Sequence, residues 1–148
     1  MFRNRKGFTL IELLIVMAVI AVLIGIAIPS FWGMQQEAKT AKAGGDLRVL
    51  KLAVEAYNAK HNTLPTSLAI LTAESNAVVS SMPTDAFSTV AYNYAIDGGT
   101  TPRYYAIWSI GPDATATACT ITAAGVVTVG GATQIGTTNG TLPNSNWK

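Results

Sequence analysis

The chain has 148 residues, room for one modest globular domain, and 49% of them are hydrophobic against 12% charged, where soluble proteins carry about a quarter charged. Ten Lys and Arg against eight Asp and Glu leave a net charge of +2, too weak a field to gather nucleic acid or acidic ligands. The single Cys119 excludes an intramolecular disulfide, and one Cys with one His, His61, excludes a zinc site built from several such ligands.

The apolar excess is concentrated at the start. A basic leader with Arg3, Arg5 and Lys6 precedes an almost unbroken apolar run from Phe8 to Ile28. As a helix this run spans roughly 31 Å, the thickness of a bilayer's hydrocarbon core. The positive flank predicts that the leader stays cytoplasmic and that everything after Pro29 emerges on the far side. A removable secretory signal fits poorly, because Gly25-Ile26-Ala27, a loose small-x-small site, lies inside the run, and a bulky Phe31-Trp32 pair follows it. Glu12 is the anomaly. An acid in an apolar span is costly and usually pairs inside a protein assembly, although near the cytoplasmic edge it could also snorkel.

Lys6-Gly7-Phe8-Thr9-Leu10-Ile11-Glu12-Leu13-Leu14-Ile15-Val16, with Pro29 downstream, resembles the prepilin processing motif of the type IV filament superfamily. The resemblance implies that a membrane-embedded prepilin peptidase cuts between Gly7 and Phe8 and methylates the new amino terminus, making Phe8 N-methylphenylalanine. The physical reading agrees: the cut leaves an α-ammonium at the tip of an apolar helix, a natural partner for Glu12. Within one helix the amine points along the axis while the carboxylate projects sideways, so the contact is made more easily with a neighbouring copy. A buried ion pair that is costly to leave half-made is a register device for stacking subunits. The expected assembly residues are Phe8, Glu12 and Pro29.

From Pro29 the helical pattern continues to about Asn58. Pro29 is expected to kink or loosen it, and Gly44-Gly45 to make a second flexible point. Ala43, Leu47, Leu50, Val54 and Tyr57 form one apolar stripe, while Val49, Leu52 and Ala56 form another on nearly the opposite side. One stripe is expected to seat the chain's own head and the other to face neighbours.

Beyond residue 62 the chain turns rich in Thr, Gly and Ala. Ser67 to Leu71 reads as a short helix or turn. Tyr92–Ile96 and Tyr104–Ile110 alternate as strands across Asp97-Gly98-Gly99, and further strands are expected at Thr120–Thr122 and Val126–Val129, turning near Gly125. After Asp113 no charge appears until Lys148, and this low-charge Thr-Gly tail is expected to be loop-rich and packed or self-associating.

The fold class expected is therefore α+β and pilin-like: a long N-terminal helix, membrane-spanning in its first half, packed on a small antiparallel sheet. Four segments follow, namely a leader at 1–7, a transmembrane and polymerisation helix at 8–29, an amphipathic helix at 30–62 and a β-sheet head at 63–148. In the head, Pro83-Thr84-Asp85-Ala86-Phe87, Tyr92-Asn93-Tyr94 and Ser109-Ile110-Gly111-Pro112-Asp113 are similar, in order, to elements of the major pseudopilin of type II secretion. The resemblance implies a calcium-binding loop around Asp113. Calcium takes six to eight oxygens, and only Asp85 or Asp97, folded close by, could add carboxylates to Asp113.

The function this implies is a structural filament subunit, assembled from the bacterial inner membrane with its head in the periplasm. Its implied partners are copies of itself, the prepilin peptidase, an assembly platform and minor pilins or pseudopilins, with no nucleic acid. A secretion pseudopilin is favoured by the Gly111-Pro112-Asp113 loop. The alternatives are a pilus subunit for adhesion, motility or DNA uptake, and a membrane-anchored binding module using Tyr92, Tyr94, Tyr104 and Trp108. Catalysis is not expected: His61, Ser67 and Asp85 could be imagined as a triad, but no nucleophile motif accompanies them. Asn139-Gly140-Thr141 fits a glycosylation acceptor, a common triplet.

Overall fold

A computed structural model describes residues 7–73, 79–113, 118–130 and 135–141. The chain divides into two compact units, Met1–Glu37 and Ala38–Lys148. In the first unit, helix α1 begins at Leu10. It is apolar all round, and each of its side chains as far as Glu37 is exposed.

In the second unit α1 runs on from Ala38 to His61. It is followed by a single-turn helix α2 (Ile70–Ala73) and five strands: β1 (Asn93–Ile96), β2 (Tyr105–Ser109), β3 (Cys119–Ile121), β4 (Val127–Val129) and β5 (Ile135–Thr138). β1, β2 and β5 form an antiparallel sheet with β2 at its centre, and β3 and β4 form a separate hairpin. The register places Tyr94 opposite Ile107 and Trp108 opposite Gly136. A parallel bridge from Val126 to Thr141 ties the hairpin's turn to the residues after β5.

Side-chain alternation on β2 organises the core, because successive residues of a strand face opposite sides. Tyr105 and Ile107 pack in one cluster with Ala43, Leu47, Leu50, Ala53 and Val54 of α1. Ala106 and Trp108 pack in a second with Cys119 and Val127 of the hairpin. Covered on both faces, β2 is buried at every position. The helical 4-3-4 stripe is thus the floor of the head, as its spacing predicts, and the second stripe is open at Val49, 45% exposed, and Leu52, 62% exposed, and half-buried at Ala56.

Phenol hydroxyls tie sheet to helix. Tyr92 donates to Asp46 Oδ2 at 2.9 Å, Tyr105 to Glu55 Oε1 at 3.2 Å, and Tyr94 to the Pro65 carbonyl at 2.9 Å. Burial raises all three phenol pKa values, with the Asp46 carboxylate adding to the effect at Tyr92 and Glu55 at Tyr105.

Several expectations need correction. α1 runs unbroken through Pro29 and Gly44-Gly45 to His61, so whatever bend or flexibility these residues give it lies within one helix. A proline removes a single backbone bond from an otherwise intact ladder. The buried neighbours Ala43 and Leu47 hold the glycine pair in place against a propensity cost of about 1 kcal/mol per Gly. β3 begins one residue earlier than expected because Cys119 faces the Trp108 cluster. The Thr-Gly tail contributes an unforeseen strand, β5, whose Ile135 enters the main core. At the β3–β4 turn, Gly125 has φ of 79°, and a Cβ there would lie 2.6 Å from the Tyr104 ring.

Candidate processing and assembly site

The residues expected to carry processing and assembly lie at the start of the described chain. Gly7, Phe8 and Thr9 precede α1 without regular structure and are exposed, Phe8 by 89%. Apart from its immediate chain neighbours, no described atom lies within 4 Å of where a Gly7 Cβ would sit. The Gly7–Phe8 peptide is therefore in open, non-helical backbone. The basic residues Arg3, Arg5 and Lys6 of the leader fall outside the described residues.

Thr9 caps the helix. Its hydroxyl donates to Glu12 Oε2 at 2.8 Å, its backbone N–H donates to the same oxygen at 2.9 Å, and the Glu12 N–H donates to Thr9 Oγ1 at 3.3 Å. This reciprocal arrangement is a capping box, in which two N–H groups that the helix leaves unpaired are satisfied by side chains. Glu12 thus has an immediate role inside its own chain. Sequence reasoning passed over Thr9, although the Thr-x-x-Glu spacing ahead of an apolar run is the signature of that motif. None of the three bonds uses Glu12 Oε1. Downstream, the apolar side chains of the run are left uncovered, from Leu10 at 88% to Ile20 at 48% exposure. The helix is long and apolar enough to cross a membrane, and none of its most apolar stretch is buried.

The remaining candidates lie in the head. Asp113 is exposed in the turn after β2. The two acids that could have joined it are committed elsewhere. Asp97 Oδ1 accepts from the Arg103 and Tyr104 N–H groups at 2.8 and 3.1 Å, closing the β1–β2 loop. Asp85 accepts from Ser109, Ile110 and Phe87. Among the described residues no group of three or more His, Cys, Asp or Glu could hold a metal ion, and Asp85 and Asp97 spend their carboxylates on hydrogen bonds within the head. His61 stacks on Tyr57 with ring centroids 4.3 Å apart. Of the aromatics offered as a binding surface, Tyr92 and Trp108 are core residues at 4% and 6% exposure.

A helix apolar on every side, entered through an exposed Gly-Phe peptide and continuing as the floor of a small antiparallel head, defines a pilin-like subunit. The comparisons agree: residues 2–28 match the prokaryotic N-terminal methylation motif. Residues 30–124 match the family described as Type II secretion system (T2SS), protein G, and the chain belongs to that family. Curated relatives include a competence protein, ComGC, of Halalkalibacterium halodurans, 34% identical over 73 residues covering 49% of this chain and 72% of that protein. A type II secretion system core protein G of Aeromonas hydrophila is 31% identical over 65 residues, 44% of this chain and 46% of the relative. A type IV major alpha-pilin of Moraxella bovis is 44% identical over 52 residues, 35% of this chain and 33% of the relative. The match thus spans less than half of the secretion protein and of the pilin. No solved structure matches the chain.

Proposed function

We propose that the chain is a pseudopilin of a type II secretion filament, cut between Gly7 and Phe8, methylated on Phe8 and polymerised through α1. The observation that carries this reading is the extent of the protein G match, which runs from residue 30 to 124 and so takes in the head strands β1 to β3, beyond the N-terminal motif that pilins have in common. Before assembly the apolar run anchors the subunit in the bacterial inner membrane, with the leader's charges holding the N-terminus on the cytoplasmic side and the head in the periplasm. Four segments serve this life cycle: leader 1–7, span 8–29, amphipathic helix 30–62 and head 63–148. The processing peptidase, an assembly platform, minor pseudopilins and further copies of the chain are the partners.

In the filament the uncovered apolar side chains pack against those of other copies, where close packing supplies cohesion. Glu12 supplies register. The capping box fixes its carboxylate through Oε2 and leaves Oε1 to accept from the Phe8 ammonium of an adjacent subunit, a charge-assisted bond. A pilus or DNA-uptake subunit is the second reading, favoured by the 72% coverage of the competence protein and the 44% identity to a pilin at the N-terminal end.

Intact-mass and N-terminal analysis of the protein from membranes and from sheared filaments tests the processing step. The expected mature chain begins at methylated Phe8. A chain that still begins at Met1, or one that begins beyond Ile28, contradicts it. Deleting the gene beside a secretion or a competence assay separates the two filament readings: loss of exported protein supports the first, and loss of DNA uptake alone supports the second.

A further inference from the structure

Asp85 is the most deeply buried charged residue among the described residues of the head, 1% exposed. Its carboxylate joins two segments far apart in sequence. Oδ1 accepts from Ser109 Oγ at 2.7 Å and from the Phe87 N–H at 3.0 Å, and Oδ2 accepts from the Ile110 N–H at 3.0 Å. Ser109 Oγ accepts in turn from the Gly111 N–H at 3.1 Å. The backbone around Asp85 is itself closed, with its N–H on the Val90 carbonyl at 2.7 Å and its carbonyl accepting from the Thr89 N–H at 3.0 Å.

The polarity of this arrangement decides what it can hold. The turn after β2 aims successive N–H groups, those of Ile110 and Gly111, and one hydroxyl at a single point, directly or through Ser109. Gly111 sits at φ of 71°, the left-handed conformation in which consecutive N–H groups converge. Such a concavity attracts an anion, whereas a cation there would need oxygens. The anion is the protein's own Asp85. We infer that Asp85, seated in the turn at Ser109–Gly111, closes this loop from within the chain, and that the head therefore folds and keeps its shape without calcium. The exposed Asp113 and the carboxylate-free run Ala114-Thr115-Ala116-Thr117 after it agree with a loop that has no use for a cation. This inference holds whichever kind of filament the subunit enters.

The test uses the full chain in detergent, followed by near-UV circular dichroism on heating, in millimolar calcium chloride and in EGTA. The wild-type midpoint is expected to be the same in both. Asp85→Asn turns one of the two acceptor oxygens into a donor, set against the Ile110 N–H or against Ser109 and the Phe87 N–H, and should lower the midpoint by about 10 °C or more in both conditions. Ser109→Ala, which strips one donor from Asp85 and the acceptor from Gly111, should lower it by about half as much. Asp113→Asn should melt at the same temperature in calcium chloride as in EGTA. A wild-type midpoint that falls in EGTA overturns the inference, as does saturable calcium binding by calorimetric titration of the wild type. So does an unchanged midpoint in Ser109→Ala, the variant that decides the matter if Asp85→Asn does not fold.

Discussion

The two units of the chain handle apolar surface in opposite ways. In the head, the side chains that the helix and sheet turn inward are closed over: Ala43, Leu50 and Val54 of α1 and Ile107 of β2 are each 0% exposed. Between Phe8 and Trp32, large hydrophobics stand at 48% exposure or more, with nothing in the unit to cover them. The lesson is that the head's stability is written within one chain, whereas the first unit, on the proposed function, is completed by a lipid bilayer or by other copies of itself. Damage to the head should therefore be read in the melting of a single subunit, and damage to the N-terminal helix in assembly.

The sharpest way to break that comparison uses two leucines on one helix. Leu50→Asp buries an unpaired charge in the main core and should cost more than about 4 kcal/mol, a large part of an ordinary domain's stability, so the full chain should lose its near-UV signal at room temperature. Leu52→Asp, on a residue 62% exposed, should shift stability by less than about 0.5 kcal/mol. Equal melting of the two variants would show that the stripe assignment is wrong. Gly125→Ala comes next: it forces a Cβ against the Tyr104 ring at a positive φ, and should cost about 1–3 kcal/mol, visible as a lower thermal midpoint.

A milder effect is expected with pH. Tyr92, Tyr94 and Tyr105 have phenol pKa values raised by burial, so the unfolded chain gives up these protons first. Their contribution is fully present below the unfolded tyrosine value of about 10 and is lost as pH rises beyond it towards the folded values. The Cys119 thiol is raised by burial in the same way, so midpoints should begin to fall above about pH 8.5, the ordinary thiol value, and fall more steeply above about pH 10. Tyr92→Phe, which removes one such group along with its bond to Asp46, should flatten that fall. The smallest effect on the head is expected from Thr9→Val. It removes the hydroxyl that orients Glu12 but keeps the backbone bond, so head melting should not change while sheared-filament yield drops several-fold.

The residues explain how far the sequence could be read. Local patterns were legible wherever they decide structure by themselves: the Gly7-Phe8 motif, the 43-47-50-54 stripe and the β1–β2 hairpin all rest on short-range spacing. β5 was not, because Ile135 is the sole large hydrophobic in Ile-Gly-Thr-Thr, and the strand exists through pairing with β2, whose residues lie nearly thirty positions earlier. Asp85 was read as one member of a turn resembling a family motif. Its work is tertiary, on Ser109 and Ile110 at separations of 24 and 25 residues, which no local pattern reveals. Thr9 is the opposite case, a capping residue plain in the spacing but overshadowed by the processing motif around it.

The central claim is that Glu12 acts between subunits and not within the head, and one comparison tests it most directly: sheared-filament yield of Glu12→Leu against wild type, at matched subunit level by immunoblot. The account predicts filaments reduced to a small remnant, while leader cleavage and the head's thermal midpoint stay as in wild type. Normal filament yield from Glu12→Leu would contradict it and leave the capping of α1 as the whole role of that carboxylate.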